Sequence, residues 1–172
     1  MSKIRPEHSA RRPLYTAEER VRRDGTKWTL VQGILAPVQF VAFAVSVALV
    51  MRYLLTGSGY EAATISILVK TFLLYTIMVT GAIWEKVVFG QYLMAPAFFW
   101  EDVFSFAVIA LHTAYLISLW TGVLTAEQQM FLALVAYATY AINAAQFIWK
   151  LRMARLDAAR QDSSQLSAAV QA

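Results

Sequence analysis

The chain has 172 residues, 59% of them hydrophobic and 15% charged, a net charge of +4 and a mean hydropathy of +0.51. A soluble domain lies nearer half apolar and a quarter charged, so a single membrane-embedded domain is expected. The absence of cysteine excludes a disulfide framework, a thiolate metal site, an iron–sulfur cluster and a cysteine nucleophile. The basic residues flank apolar runs, which points to membrane orientation and anionic lipid rather than nucleic acid.

Residues 1–27 read as a basic cytoplasmic segment, with no cleavable signal peptide expected. Within it Thr16-Ala-Glu-Glu19 has the spacing of a capping box and predicts a short helix lying at the membrane surface. A transmembrane domain follows over residues 28–150, with spans at about 28–53, 62–84, 103–121 and 128–149. Each is near or above the ~20 residues that cross a ~30 Å hydrocarbon core. Gly57-Ser-Gly59 separates the first two spans, and Gly122 with the capping box Thr125–Gln128 separates the last two. Between them, 85–102 carries charges at both ends of an aromatic, proline-broken middle and reads as interfacial or re-entrant. Residues 151–172 form a polar cytoplasmic tail. The fold class is therefore an all-α integral membrane protein, a bundle of four transmembrane helices with a short N-terminal interfacial helix. Eight basic residues precede the first span and four follow the last, so the positive-inside rule puts both termini in the cytoplasm. The expected location is the inner or intracytoplasmic membrane.

Ionisable and amide groups inside a bilayer are costly, and each calls for a reason. On the third span Glu101, Ser105 and His112 fall within about 40° of one another, and Tyr115 continues the stripe. On the fourth, Thr139, Asn143, Gln146 and Lys150 share a face. On the first, Gln32, Gln39 and Ser46 recur every seventh residue. On the second, Lys70 and Glu85 are about 22 Å apart along the axis and cannot pair directly. Gln32, Glu85, Glu101, Ser105, Asn143 and Gln146 all lie within ~10 Å of the cytoplasmic ends, with Gln39 and His112 at ~15 Å. The stripes converge on a pocket in the cytoplasmic half of the bundle. Against this stands a plainer reading, in which Gln, Asn, Ser and Thr glue helices together. Lys86 suits an interface anchor, Asp102 a helix N-terminus, Lys70 a structural role, and Trp84, Phe98, Phe99 and Trp100 an aromatic belt. One intramembrane histidine excludes a bis-histidine haem carrier. Phosphate-cradling glycine loops, HExxH and a serine–histidine–acid set are lacking. Inverted repeats of the kind that build transporters are not visible.

The string KTFLLYTIMVTGAIWEKVVFGQYLMAPAFFWEDVFS from Lys70 runs on to ALHTAYL at Ala110–Leu116. With LYTAEERVRRDGTKWTLVQGILAPVQF near the start and AYATYAINAAQF near the end, it resembles the 2-vinyl (3-vinyl in current numbering) bacteriochlorophyllide hydratases over about Leu14 to Leu156. The resemblance implies hydration of the 3-vinyl group of chlorophyllide a or bacteriochlorophyllide a to a 1-hydroxyethyl group, in bacteriochlorophyll synthesis. It implies a tetrapyrrole substrate, surrounding lipid, neighbouring enzymes of the same synthesis and no cofactor. It brings no assigned catalytic residues, so the site is read from this chain. Glu101 leads as acid–base residue, Glu85 is next, and His112 orients water or ligates the substrate's magnesium; no resident metal is expected. Lys86, Asp102, Trp84, Trp100, Ser105, Gln39, Asn143 and Gln146 are candidates for substrate binding, with the substrate's carboxylate at the cytoplasmic surface. The other reading is a non-catalytic tetrapyrrole-binding or assembly subunit, which needs a magnesium ligand but no poised carboxyl.

Overall fold

In a computed structural model, residues 14–171 are described, and they form five α-helices. These are α1 (Ala17–Gly25), α2 (Lys27–Thr56), α3 (Tyr60–Phe89), α4 (Phe99–Thr121) and α5 (Ala126–Gln171). No strand occurs among the described residues. The basic residues Lys3, Arg5, Arg11 and Arg12 lie outside them.

The capping box starts α1: the Glu19 N–H donates to the Thr16 hydroxyl at 3.2 Å, and the Thr16 N–H donates to the Glu19 carboxylate at 2.8 Å. Nine residues are too few for a stable isolated helix. Tertiary contacts hold it instead. Tyr15, just ahead of it, is buried among aromatic rings, and the Thr29 hydroxyl of α2 donates to the Arg23 carbonyl at 2.6 Å. Helices α2, α3, α4 and the Ala126–Leu156 part of α5 are long and apolar enough to cross a membrane, which makes this a multi-pass membrane protein. At 30 residues each, α2 and α3 are about 45 Å long and project past the hydrocarbon core into the headgroups.

Helix α3 stops at Gly90, whose φ of 85° only glycine adopts cheaply and whose N–H closes on the Lys86 carbonyl. Residues 90–98 then form the loop to α4. Toward the C-terminus the apolar run stops near Trp149, but the helix does not. With no Gly or Pro between Ala126 and Gln171 and abundant Ala, Arg, Gln and Leu, nothing in that stretch breaks it.

Helix α2 packs along α3 and α4 along α5, while α3 and α4, though consecutive, touch far less. Water does not drive helices together inside lipid, so close packing and polar contacts must do it. Ala63, Ala133 and Ala136 are buried and let backbones approach. A chain of hydroxyls joins three helices: Tyr137 of α5 meets Ser46 of α2 at 2.5 Å, Ser46 meets Ser66 of α3 at 2.7 Å, and Ser66 donates to the Ala63 carbonyl. Gln32 donates to Thr80, Tyr60 to Gln129 and Asn143 to Ser105. Each such bond contributes on the order of 0.6 kcal/mol. Across the sparse α3–α4 seam, the Tyr75 and Thr113 hydroxyls meet at 2.7 Å.

Two apolar clusters result. One, around Val50, Ile67, Tyr115 and Met130, fills the half of the bundle away from the 90–98 loop. The other, around Tyr15, Val88 and Phe98, closes the loop end. The buried polar side chains Gln39, Lys70, Ser105, His112 and Asn143 sit on the helices between these clusters.

Candidate active site

The loop end carries three buried carboxyls, Glu85, Glu101 and Asp102, each 5% exposed or less. Glu101 and Asp102 are adjacent, so their side chains leave α4 about 100° apart and meet different helices. Glu101 turns to α5 and pairs with the Lys150 ammonium, which also donates to the Ala97 carbonyl. Asp102 turns to α3, where its carboxyl is an electrostatic neighbour of Glu85.

The 90–98 loop is tied to this pair by its backbone. The Met94 N–H donates to Asp102 at 2.6 Å and the Ala95 N–H donates to Glu85 at 3.2 Å. Met94 has a φ of 61°, a left-handed conformation that costs a non-glycine residue about 1–2 kcal/mol. Strain of this kind persists where the surroundings over-determine the backbone, and here two carboxyls do so. The loop is thus built around the acid pair.

Aromatic rings cover it. Phe98 lies against Tyr15, Trp84, Phe89 and Phe147, with centroids 5.7–6.4 Å away. Trp84 also donates its indole N–H to Thr29 at 2.9 Å. Arg23 of α1 lies over the Tyr15 ring, 4.7 Å from its centroid. Burial pushes the Tyr15 phenol up, with the Arg23 guanidinium opposing. Beside Glu101, a surface cavity of about 340 Å³ is lined by Glu101, Gln146, Trp149, Lys150 and Met153.

A second polar group lies deeper. His112 Nδ1 sits 2.8 Å from the Val108 carbonyl, which can only accept, so Nδ1 carries the hydrogen and Nε2 the lone pair. Nε2 is buried without a hydrogen-bond partner, as are both polar atoms of Gln39, Lys70 Nζ, Asn143 Oδ1 and Gln146 Oε1. Lys70 is fully buried, its ammonium 3.7 Å from the Tyr140 ring centroid and 5.8 Å from that of Tyr137. A cation inside a membrane costs on the order of 3 kcal/mol or more, and a desolvated cation–π contact offsets about 2 kcal/mol of that.

The candidate residues are thus divided. Glu85 and Asp102 come together, with Trp84 one residue before Glu85. Glu101 is engaged by Lys150, next to Gln146. Ser105 and Asn143 bond to each other. His112 and Gln39 belong to the deeper group, His112 about 15 Å along α4 from Asp102. Lys86 is exposed, donating to the Gly90 carbonyl at 2.7 Å beside the Tyr92 ring. Trp100 is 65% exposed and packs on Phe99, in the manner of an interface belt. Sequence reasoning missed the backbone donors of Met94 and Ala95 and the partner of Glu101. Its one usable signal for the pair was the Glu101–Asp102 dipeptide, whose two side chains cannot face one helix.

A polytopic four-span protein with a buried carboxyl pair at one end and a buried histidine and lysine at its centre has the parts of an acid–base membrane enzyme. A family model described as 2-vinyl bacteriochlorophyllide hydratase matches residues 15–153, and the chain belongs to that family. It is 72% identical over 161 residues to the 2-vinyl bacteriochlorophyllide hydratase of Rhodobacter capsulatus, covering 94% of each chain. It is 75% identical over 146 residues to the protein of that name from Cereibacter sphaeroides, covering 85% of this chain and 91% of the relative. No solved structure matches it. The protein is accordingly a hydro-lyase of bacteriochlorophyll synthesis.

Proposed function

We propose that this chain hydrates the vinyl group of a chlorophyllide-type macrocycle at the Glu85–Asp102 pair, with chlorophyllide a and bacteriochlorophyllide a as the substrate class. The observation that carries the site is that consecutive amides of one loop hold the two buried carboxyls side by side. Two ionised carboxylates side by side repel, and one proton held between them relieves that repulsion. That proton is what the reaction needs first.

The proton goes to the terminal vinyl carbon as the π bond opens. The cation forms on the carbon attached to the ring, where the macrocycle delocalises it. Water adds there and gives up a proton to the carboxylate that was left behind. The pair ends as it began, and H and OH have been added with no net change of oxidation level. The Met94 and Ala95 N–H groups stabilise the pair while it is short of its proton, and the strained loop keeps them aimed. Water enters at this end, where the open cavity beside Glu101 lies. His112 presents, through Nε2, the lone pair that a ligand of the substrate's magnesium requires.

The substrate is flat and apolar and reaches the site from the lipid, between α3 and α4. That seam is sparse beside the α2–α3 and α4–α5 contacts, and the Tyr75–Thr113 hydrogen bond is its latch. The loop end faces the cytoplasm in this reading, which the positive charge of the N-terminal segment and of Lys150, Arg152 and Arg155 supports. Reporter fusions after residue 172 and at Gly57 should report opposite sides of the membrane. The same side for both would overturn the topology.

The test of function is chlorophyllide a given to the purified protein in detergent. A product heavier by one water is expected, with no nucleotide, flavin or metal added beyond the substrate's own magnesium. A strict need for any of these, or pigment bound and never converted, would refute the reading in favour of a binding or assembly subunit.

A further inference from the structure

We propose that Lys70 is the counter-charge for the substrate's carboxylate, so that the substrate binds with its vinyl group at the loop end and its carboxylate inside the bundle. This rests on the hydratase reading above and reverses the orientation expected from the sequence.

Lys70 is fully buried; its side-chain nitrogen has no hydrogen-bond partner, lies over the faces of Tyr140 and Tyr137, and has His112 nearby. The buried carboxyls of the described residues, Glu85, Glu101 and Asp102, are all at the loop end and engaged there. Glu85 lies about 22 Å away along the same helix. Among the described residues, then, Lys70 answers no anion. An intramembrane charge without a partner points to a ligand of opposite charge.

The substrate has that charge and that shape. Its single carboxylate is the propionate, carried on the side of the macrocycle away from the vinyl group. With the vinyl at the Glu85–Asp102 pair, the ring extends into the bundle and the propionate points toward its centre. A macrocycle with its propionate, met by a lysine arm, bridges the distance between the two sites. The buried amide of Gln39, also without a partner, offers a second donor for the propionate. This orientation also places the reaction where water is available. It leaves the new hydroxyl at the wet end, from which the product can leave.

Chlorophyllide a and its methyl ester have the same ring and vinyl group and differ in the charge. The wild-type protein should prefer the acid by about 100-fold in kcat/KM, the scale of an unpaired buried charge. Lys70→Met should bring that preference close to unity, chiefly by raising KM for the acid, and Lys70→Arg should restore part of it. Equal turnover of acid and ester by the wild type would overturn the inference without any variant. So would a Lys70→Met protein that keeps the full preference, or a preference lost in Lys150→Met, which would place the carboxylate at the wet end. A wild-type protein that hydrates neither compound would instead remove the hydratase reading itself.

Discussion

Glu85→Gln should lower turnover ~100-fold or more while pigment binding survives, and Asp102→Asn should do the same. Each amide keeps an oxygen for its loop partner, the Ala95 N–H for residue 85 and the Met94 N–H for residue 102. What is lost is the proton shared between two carboxyls. Because the two act as one acid–base unit, the double variant should be little worse than either single one. Glu101→Gln is the comparison that gives this meaning. It breaks the Lys150 pair at the edge of the surface cavity, so its cost should fall mainly on stability and leave most of the turnover. The measurement is turnover of chlorophyllide a and pigment affinity on all four variants at matched amounts of folded protein. If Glu101→Gln is the inactive one and Glu85→Gln turns over normally, the acid is on the other side of α4.

Tethering α3 to α4 should reduce hydration to background, and cutting the tether should restore it. The cavity at this end lies beside Glu101 and is not lined by Glu85 or Asp102, so in this reading the seam opens at every turnover. Tyr75→Cys with Thr113→Cys puts two thiols at the latch in a chain that otherwise has none. A bifunctional thiol reagent with a reducible spacer closes the seam; a reductant reopens it. The same reagent on Gln32→Cys with Thr80→Cys, across the dense α2–α3 contact, should leave turnover near that of the untreated protein. Equal inhibition at both places would mean that any loss of flexibility stops the enzyme and that the seam has no special role.

Much of the architecture was legible without coordinates. Hydropathy gives the spans because a bilayer imposes both a length and a composition. The two capping boxes mark the starts of α1 and α5 because they are local patterns complete within four residues. Family membership was legible too, because long strings across all four spans resemble one family. The end of α5 was not, since hydropathy reports where lipid stops and not where a helix does.

The pairing of the acids belongs to tertiary structure alone. A stripe on one helix shows which residues share a face; it does not show which helix that face meets. Glu101 led the sequence reading because it heads the stripe with Ser105 and His112. The bundle sets it against Lys150, and turns Asp102, one residue further and about 100° around the helix, to Glu85. Lys70 shows the same division. Its position in a span was enough to call for an explanation, but only the assembled bundle reveals that, among the described residues, no buried carboxyl faces it. A buried charge is defined by its neighbours, and in a four-helix bundle those neighbours come from other helices, far away in sequence.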